Sequence, residues 1–165
     1  MTATATFTTP VGPLSVVVRD GAVVAAGFAP AATMLARLVD GEQAAARDVG
    51  PDGLGPIGTS LRCYLDGEVD ALAEIPVAQP GGAFRQAAWQ AMREVPAGET
   101  IDYTELAQRA GSPRAVRAAG SACARNLVAP IVPCHRILPR GVRVGGYYYG
   151  APVKSWLLAH ERGED

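Results

Sequence analysis

The residues best suited to chemistry are Cys134 and His135. They are adjacent in the run Pro133-Cys134-His135-Arg136, behind the apolar segment Ala129-Pro130-Ile131-Val132. A thiol is a strong nucleophile only as the thiolate, and a neighbouring imidazole can take its proton. Pro130 and Pro133 fix the backbone leading to the cysteine. Taken alone, the tetrapeptide reads slightly better as a packed structural thiol, because free Cys is among the most buried residue types. The surrounding sequence reverses that preference.

Composition narrows the chemistry. The other cysteines are Cys63 and Cys123, an odd total with no short pair spacing, which argues against a disulfide framework or a four-ligand zinc site. With only His135 and His160 besides, no metal site and no cofactor is expected. No apolar run is long enough to span a bilayer, and the N-terminus shows no basic-then-apolar secretory pattern. A cytoplasmic, reducing location is therefore expected, with no membrane partner. The net charge of −1 conceals an asymmetry: residues 1–80 carry −5, residues 81–143 carry +5, and every basic residue of that middle segment is Arg. Such a basic face suits phosphate contact, though a solvated helix face accounts for it equally well until the motifs are weighed.

At 165 residues the chain is one domain or two small lobes sharing a core. Residues 6–28 read as a β-hairpin around Asp20-Gly21, with Thr9-Pro10-Val11-Gly12-Pro13 shaping the entry to the second strand. Residues 31–47 read as helix, 48–58 as loop, Ser60–Leu65 as helix and Ile75–Val77 as a short strand. Gln79-Pro80-Gly81-Gly82 reads as a linker between an N-terminal lobe (1–80) and a C-terminal one (81–165). The second lobe reads as mostly helical: Phe84–Val95 stopped by Pro96-Ala97-Gly98, then Tyr103–Ala110, then a helix over about 113–125 capped by Ser112. The last pair, joined at Gly111 with Arg114, Arg117 and Arg125 on the second member, has a helix-turn-helix pattern, a weak signal by itself. Trp156-Leu157-Leu158 reads as core packing in a terminal helix.

Over nearly its whole length the chain resembles the O6-alkylguanine-DNA alkyltransferases, most strongly from Phe84 to Glu161. The resemblance rests on Pro-Ala-Gly-Glu-Thr at 96–100 with Tyr103, Arg114-Ala115-Val116-Arg117, Asn126, Ile131-Val132-Pro133-Cys134-His135-Arg136 and Leu157-Leu158-Ala159-His160-Glu161. It implies an α+β fold: an RNase H-like antiparallel β-sheet lobe followed by a mostly helical lobe with a helix-turn-helix. It also implies irreversible, single-turnover transfer of an alkyl group from guanine O6 to Cys134. In that scheme His135 deprotonates Cys134 through a water, Glu161 orients the imidazole, Asn126 braces the turn, and Tyr103 donates to the leaving purine. The target atom is unreachable inside a duplex, so the nucleotide is rotated out. The helix at about 113–125 would enter the minor groove, with Arg117 filling the gap, small Ala118, Gly120 and Ser121 allowing close approach, and Arg114 and Arg125 meeting phosphates. Val132, Pro133, Tyr147, Tyr148 and Tyr149 would line the alkyl pocket. The implied partner is double-stranded DNA containing O6-alkylguanine, bound by a monomer.

Two departures from the family pattern stand out. Tyr148 and Tyr149 occupy positions often held by Ser or Gly, which predicts a narrow pocket favouring methyl over benzyl adducts. Leu127 follows Asn126 where a Pro is common. Bland readings compete residue by residue: Tyr103 as ordinary packing, Glu161 as a solvated helix charge, Asn126 as a plain C-cap. Three other functions compete. A damage sensor would lack the acceptor cysteine, a transcription regulator would need a dimerisation element, and a cysteine hydrolase would need an oxyanion-hole signal and would turn over.

Overall fold

Asp20 and Gly21 both take positive φ (52° and 78°), the two-residue turn that suits the twist of a hairpin. It joins β2 (Gly12–Arg19) to β3 (Ala22–Gly27), as the sequence predicts. The computed structural model describes residues 1–38 and 45–164. They fall into two units, Met1–Gln79 with Leu127–Ile131, and Pro80–Asn126 with Val132 onward. Among the described residues no helix is long and apolar enough to cross a membrane.

In the first unit β1 (Thr2–Thr9) is antiparallel to β2, and with Ala46–Asp48 as β4 the sheet has the order β3-β2-β1-β4. The Thr9 hydroxyl ties the connection, donating to Gly12 O (2.6 Å) and accepting from Val11 N (3.2 Å). The predicted helix over 31–47 is corrected. Among the described residues of that range the α-helix is Ala31–Ala36 (α1), and Ala46–Asp48 is a strand, β4, paired parallel to β1. Residues 39–44 of that expectation lie outside the described residues. Alanine-rich composition favours helix locally, but the open edge of β1 offers 46–48 a ladder of backbone bonds. The sheet is therefore mixed rather than wholly antiparallel. The expected loop 48–58 contains a 3₁₀ turn at Pro51–Leu54, and α2 (Pro56–Leu65) begins four residues before Ser60 because Pro56 fits a first helical turn. Ile75–Val77 is no strand; Val77 makes one isolated bridge to Val23. The segment Leu127–Ile131 joins this unit through Val128, which bridges Ala26, and Leu127 N donates to the Gln79 side-chain carbonyl at 3.0 Å. Leu14, Val16, Val17, Met34, Leu61 and Tyr64 are fully buried.

In the second unit α3 (Ala83–Arg93) is fastened to α5 (Val116–Ala124) by the Trp89 indole, which donates to Ala122 O at 2.9 Å. A short parallel pair, β5 (Ile101–Asp102) with β6 (Ile137–Leu138), was not foreseen. Asp102 caps α4 (Tyr103–Arg109), accepting from Glu105 N at 2.8 Å. The helix predicted from 113 begins at Val116. Ser112 O accepts from Ala115 N (2.9 Å), so Ser112 and Pro113 form a turn, and Ala115 is non-helical (φ −87°, ψ 44°). Arg114 therefore precedes α5 and Arg125 is its C-terminal cap residue. The last helix, α6, runs Ala151–Glu161.

Candidate active site

Cys134 opens a 3₁₀ turn, Cys134–Arg136, that leads directly into β6. Pairing of Ile101 with Ile137 fixes this turn relative to β5, and β5 delivers Tyr103 as the first residue of α4. Asn126 lies just past α5 and is buried. Its side-chain amide donates to Val132 O at 2.7 Å and to Cys134 Sγ at 3.3 Å. The backbone before the thiol and the thiol itself thus share one donor. Arg125 is the cap residue, so the plain C-cap reading of Asn126 does not hold.

His135 is fully buried, and its Nε2 lies 2.9 Å from Glu161 Oε2. Glu161, at the end of α6, is no solvated charge: its side chain is fully buried. Arg136 completes the cluster. Its Nε donates to Glu161 Oε1 and its Nη2 to Oε2, both at 2.9 Å, and its Nη1 donates to Val95 O at 2.7 Å. Burial pushes the Glu161 carboxyl up, but the His135 ring and the Arg136 guanidinium outweigh it and hold the group below the usual carboxylate range. Burial pulls His135 below its ordinary 6.5, and Glu161 only partly opposes this. A neutral ring beside a carboxylate carries its proton on Nε2 and donates it to Glu161. Nδ1 is then the basic nitrogen, and it is buried with no hydrogen-bond partner.

Two residues of this site were missed in the sequence reading. Arg136 stood in the motif without a role. Lys154 was not singled out, yet it is 1% exposed, and its ammonium donates to Ile137 O (3.3 Å) and Gly146 O (3.1 Å). Burial pulls Lys154 below its ordinary value, while the nearby thiols Cys134 and Cys123 pull it up. The available signal was spacing: Lys154, Leu157, Leu158 and Glu161 fall at i, i+3, i+4 and i+7, and all four are buried on one face of α6. Burial, followed by the neighbouring Cys123 and Cys134, pushes the Tyr103 hydroxyl up and keeps it protonated.

Two contacts, Asn126 to Cys134 and Glu161 to His135, thus meet at adjacent residues of the chain, with Tyr103 and Lys154 within electrostatic reach of Cys134. Val132 and Pro133 are buried immediately before the thiol. Tyr147 and Tyr149 are half-buried, whereas Tyr148, expected to line a pocket with them, is 65% exposed. Arg114, Arg117, Ala118 and Arg125 are exposed, and Gly120 and Ser121 half-buried. A Cβ built on Gly120 meets nothing within 4 Å, so internal packing does not require glycine there.

Residues 83–163 match the family model described as 6-O-methylguanine DNA methyltransferase, DNA binding domain. The chain is 44% identical over 99 residues to a methylated-DNA–protein-cysteine methyltransferase of Haemophilus influenzae, a stretch covering 60% of this chain and 55% of that protein. The chain thus spans little more than half the length of that relative. It is 38% identical over 104 residues to a probable methylated-DNA–protein-cysteine methyltransferase of Acanthamoeba polyphaga mimivirus, covering 63% of this chain and 69% of that one. The Mycobacterium tuberculosis O6-methylguanine methyltransferase structure superposes with a TM-score of 0.79 at 27% identity, covering 100% of this chain and 95% of that chain. The same organism's OGT in complex with DNA gives 0.77 at 26% identity, covering 98% and 94%. On the arrangement of its site and on these likenesses together, the chain belongs to the methylated-DNA–protein-cysteine methyltransferase family.

Proposed function

We propose that this protein repairs DNA by direct reversal, moving the alkyl group of O6-alkylguanine, methyl above all, onto Cys134. The observation that carries the reading is the buried Glu161–His135 pair directly beside Cys134, with the Asn126 amide on Sγ. His135 Nδ1 takes the Cys134 proton through one bridging water, while Glu161, held by Arg136, keeps the ring oriented. The thiolate attacks the alkyl carbon in line: the S–C bond forms, the C–O bond breaks, and the electron pair leaves on guanine. Tyr103, kept protonated, donates to the departing purine. The thioether product has no route to hydrolysis, so each molecule acts once.

DNA is the partner, entered from the minor groove by α5 and bound by a monomer. Arg117 fills the gap left by the rotated nucleotide, and Arg114 and Arg125 meet phosphates. Mid-helix glycine is normally destabilising by about 0.5–1 kcal/mol relative to Ala. The open space around Gly120 supports close approach of something outside the protein, beside Ala118 and Ser121. Val132, Pro133, Tyr147 and Tyr149 flank the alkyl group. The protein acts in the cytoplasm, with residues 1–80 as the N-terminal lobe and 81–165 as the acceptor domain, apart from Leu127–Ile131, which group with the first unit. The test is intact-protein mass after incubation with a duplex carrying one O6-methylguanine. A single methyl increment on the Cys134 peptide, absent in Cys134→Ala, is the expected result. Tight lesion binding with no mass change would replace this reading with a damage sensor.

A further inference from the structure

The loop between β6 and α6 carries a feature that the transfer chemistry leaves unused. Tyr147 O accepts from Gly150 N at 3.0 Å, which closes a turn with Tyr148 and Tyr149 at its two corners. Turn corners ordinarily go to Gly, Pro, Asn, Asp or Ser, each for a backbone reason. Here both are tyrosines, and Tyr148 is 65% exposed. Its ring packs edge-to-face on Tyr149 (centroids 4.9 Å, 71°), and Tyr149 packs edge-to-face on Tyr147 (5.7 Å, 64°). The turn is anchored at its base, where the buried Lys154 ammonium donates to Gly146 O. An exposed ring on a supported turn has little rotamer freedom left to lose on binding. The same loop exposes Arg140 and Arg143, and no Asp or Glu occurs from Ile137 to His160. Arg140 has one exposed 3.4 Å contact with Asp102.

A flat aromatic face beside guanidinium groups is the chemistry that holds an unpaired nucleobase and its flanking phosphates. We propose that Tyr148, backed by Tyr149, is a stacking platform for an unpaired base next to the alkylated guanine, with Arg140 and Arg143 on the adjoining phosphates. This deepens the DNA-repair reading and rests on it. It assigns Tyr148 to positioning the strand, outside the bond-making step.

The test is fluorescence anisotropy with a labelled single-stranded oligonucleotide containing one O6-methylguanine, in a Cys134→Ser background so that binding is at equilibrium. Tyr148→Phe keeps the ring and is expected to bind like its parent. Tyr148→Ala is expected to weaken binding by about 5- to 150-fold, the range for one stacked base, with an unchanged melting temperature as the check on folding. Equal affinities for Tyr148→Ala and Tyr148→Phe would overturn the platform. Methyl transfer by the unsubstituted protein is measured separately. Its absence would overturn the repair reading and the platform with it, whereas transfer with equal variant affinities would overturn the platform alone.

Discussion

Replacing Arg136 with methionine probes the charge cluster behind Cys134. Methionine keeps much of the apolar stem and removes the guanidinium. Two bonds to Glu161, both 2.9 Å, and one to Val95 O, 2.7 Å, are lost together. Glu161 is then a fully buried carboxylate held by His135. Removing one partner of a buried ion pair costs about 3–5 kcal/mol, a large share of the roughly 5–15 kcal/mol that holds a domain together. For a chain of this length that corresponds to a melting temperature lower by roughly 6–20 °C. The effect has a definite pH dependence. In the parent, Glu161 titrates below its ordinary 4.5, so its contribution is fully present above pH 4.5 and is lost as pH falls through the lowered value. Without Arg136 the lowering weakens, burial pushes the carboxyl up, and the variant sheds its buried charge by taking a proton at higher pH. The stability gap between the two proteins is therefore expected to narrow from about pH 7 toward about pH 4. Urea unfolding followed by fluorescence of Trp89 and Trp156, both in the second unit, measures it. A loss under about 1 kcal/mol at neutral pH, the size of an exposed pair, would refute the reasoning. So would a gap that stays constant with pH.

Four further outcomes are expected. The single-turnover rate should persist below pH 6.5, because burial lowers His135 and the neutral ring is the base; a midpoint at or above 6.5 would contradict this. Asn126→Ala removes the donor to Cys134 Sγ and should slow transfer about 10-fold or more, the worth of a hydrogen bond to a charged group; rapid-quench kinetics decides it. Lys154→Met frees Gly146 O and Ile137 O and should speed tryptic cleavage after Arg140 and Arg143. Its stability should move by no more than about 1 kcal/mol, because the cost of burying the ammonium is removed as well. Free O6-benzylguanine should inactivate the protein slowly if Tyr149 narrows the alkyl pocket, and fast inactivation measured by residual methyl transfer would sink that idea.

The legible parts of the chain were those whose cause is local. Asp20-Gly21 can form its turn from its own backbone preferences, so the hairpin reads directly. Cys134, His135, Asn126 and Glu161 were named from motif and resemblance, and the structure brings these four together. The rest depends on partners far along the chain. Ala46–Asp48 lies in an alanine-rich stretch and becomes a strand only because β1 has an open edge. Ser112-Pro113 is a sound helix start on paper, yet the chain uses it for a turn and starts α5 at Val116. Arg136 and Lys154 look like surface charges until their acceptors are known, and those acceptors lie 25 and 41 residues away for Arg136 and 17 and 8 for Lys154.

The route of the chain between Asn126 and Val132 has a consequence for modularity. These two residues are tied at 2.7 Å and both belong to the second unit, yet the five residues between them are counted with the first. No single scission near residue 80 yields two complete halves. A fragment starting at Pro80 would retain Leu127–Ile131 without Ala26 and Gln79, the groups that satisfy its backbone. A fragment ending at Gln79 would leave Ala26 without that neighbour. The two units are thus interleaved in sequence, and a transplant of the acceptor half into another protein would have to supply a substitute for that missing ladder.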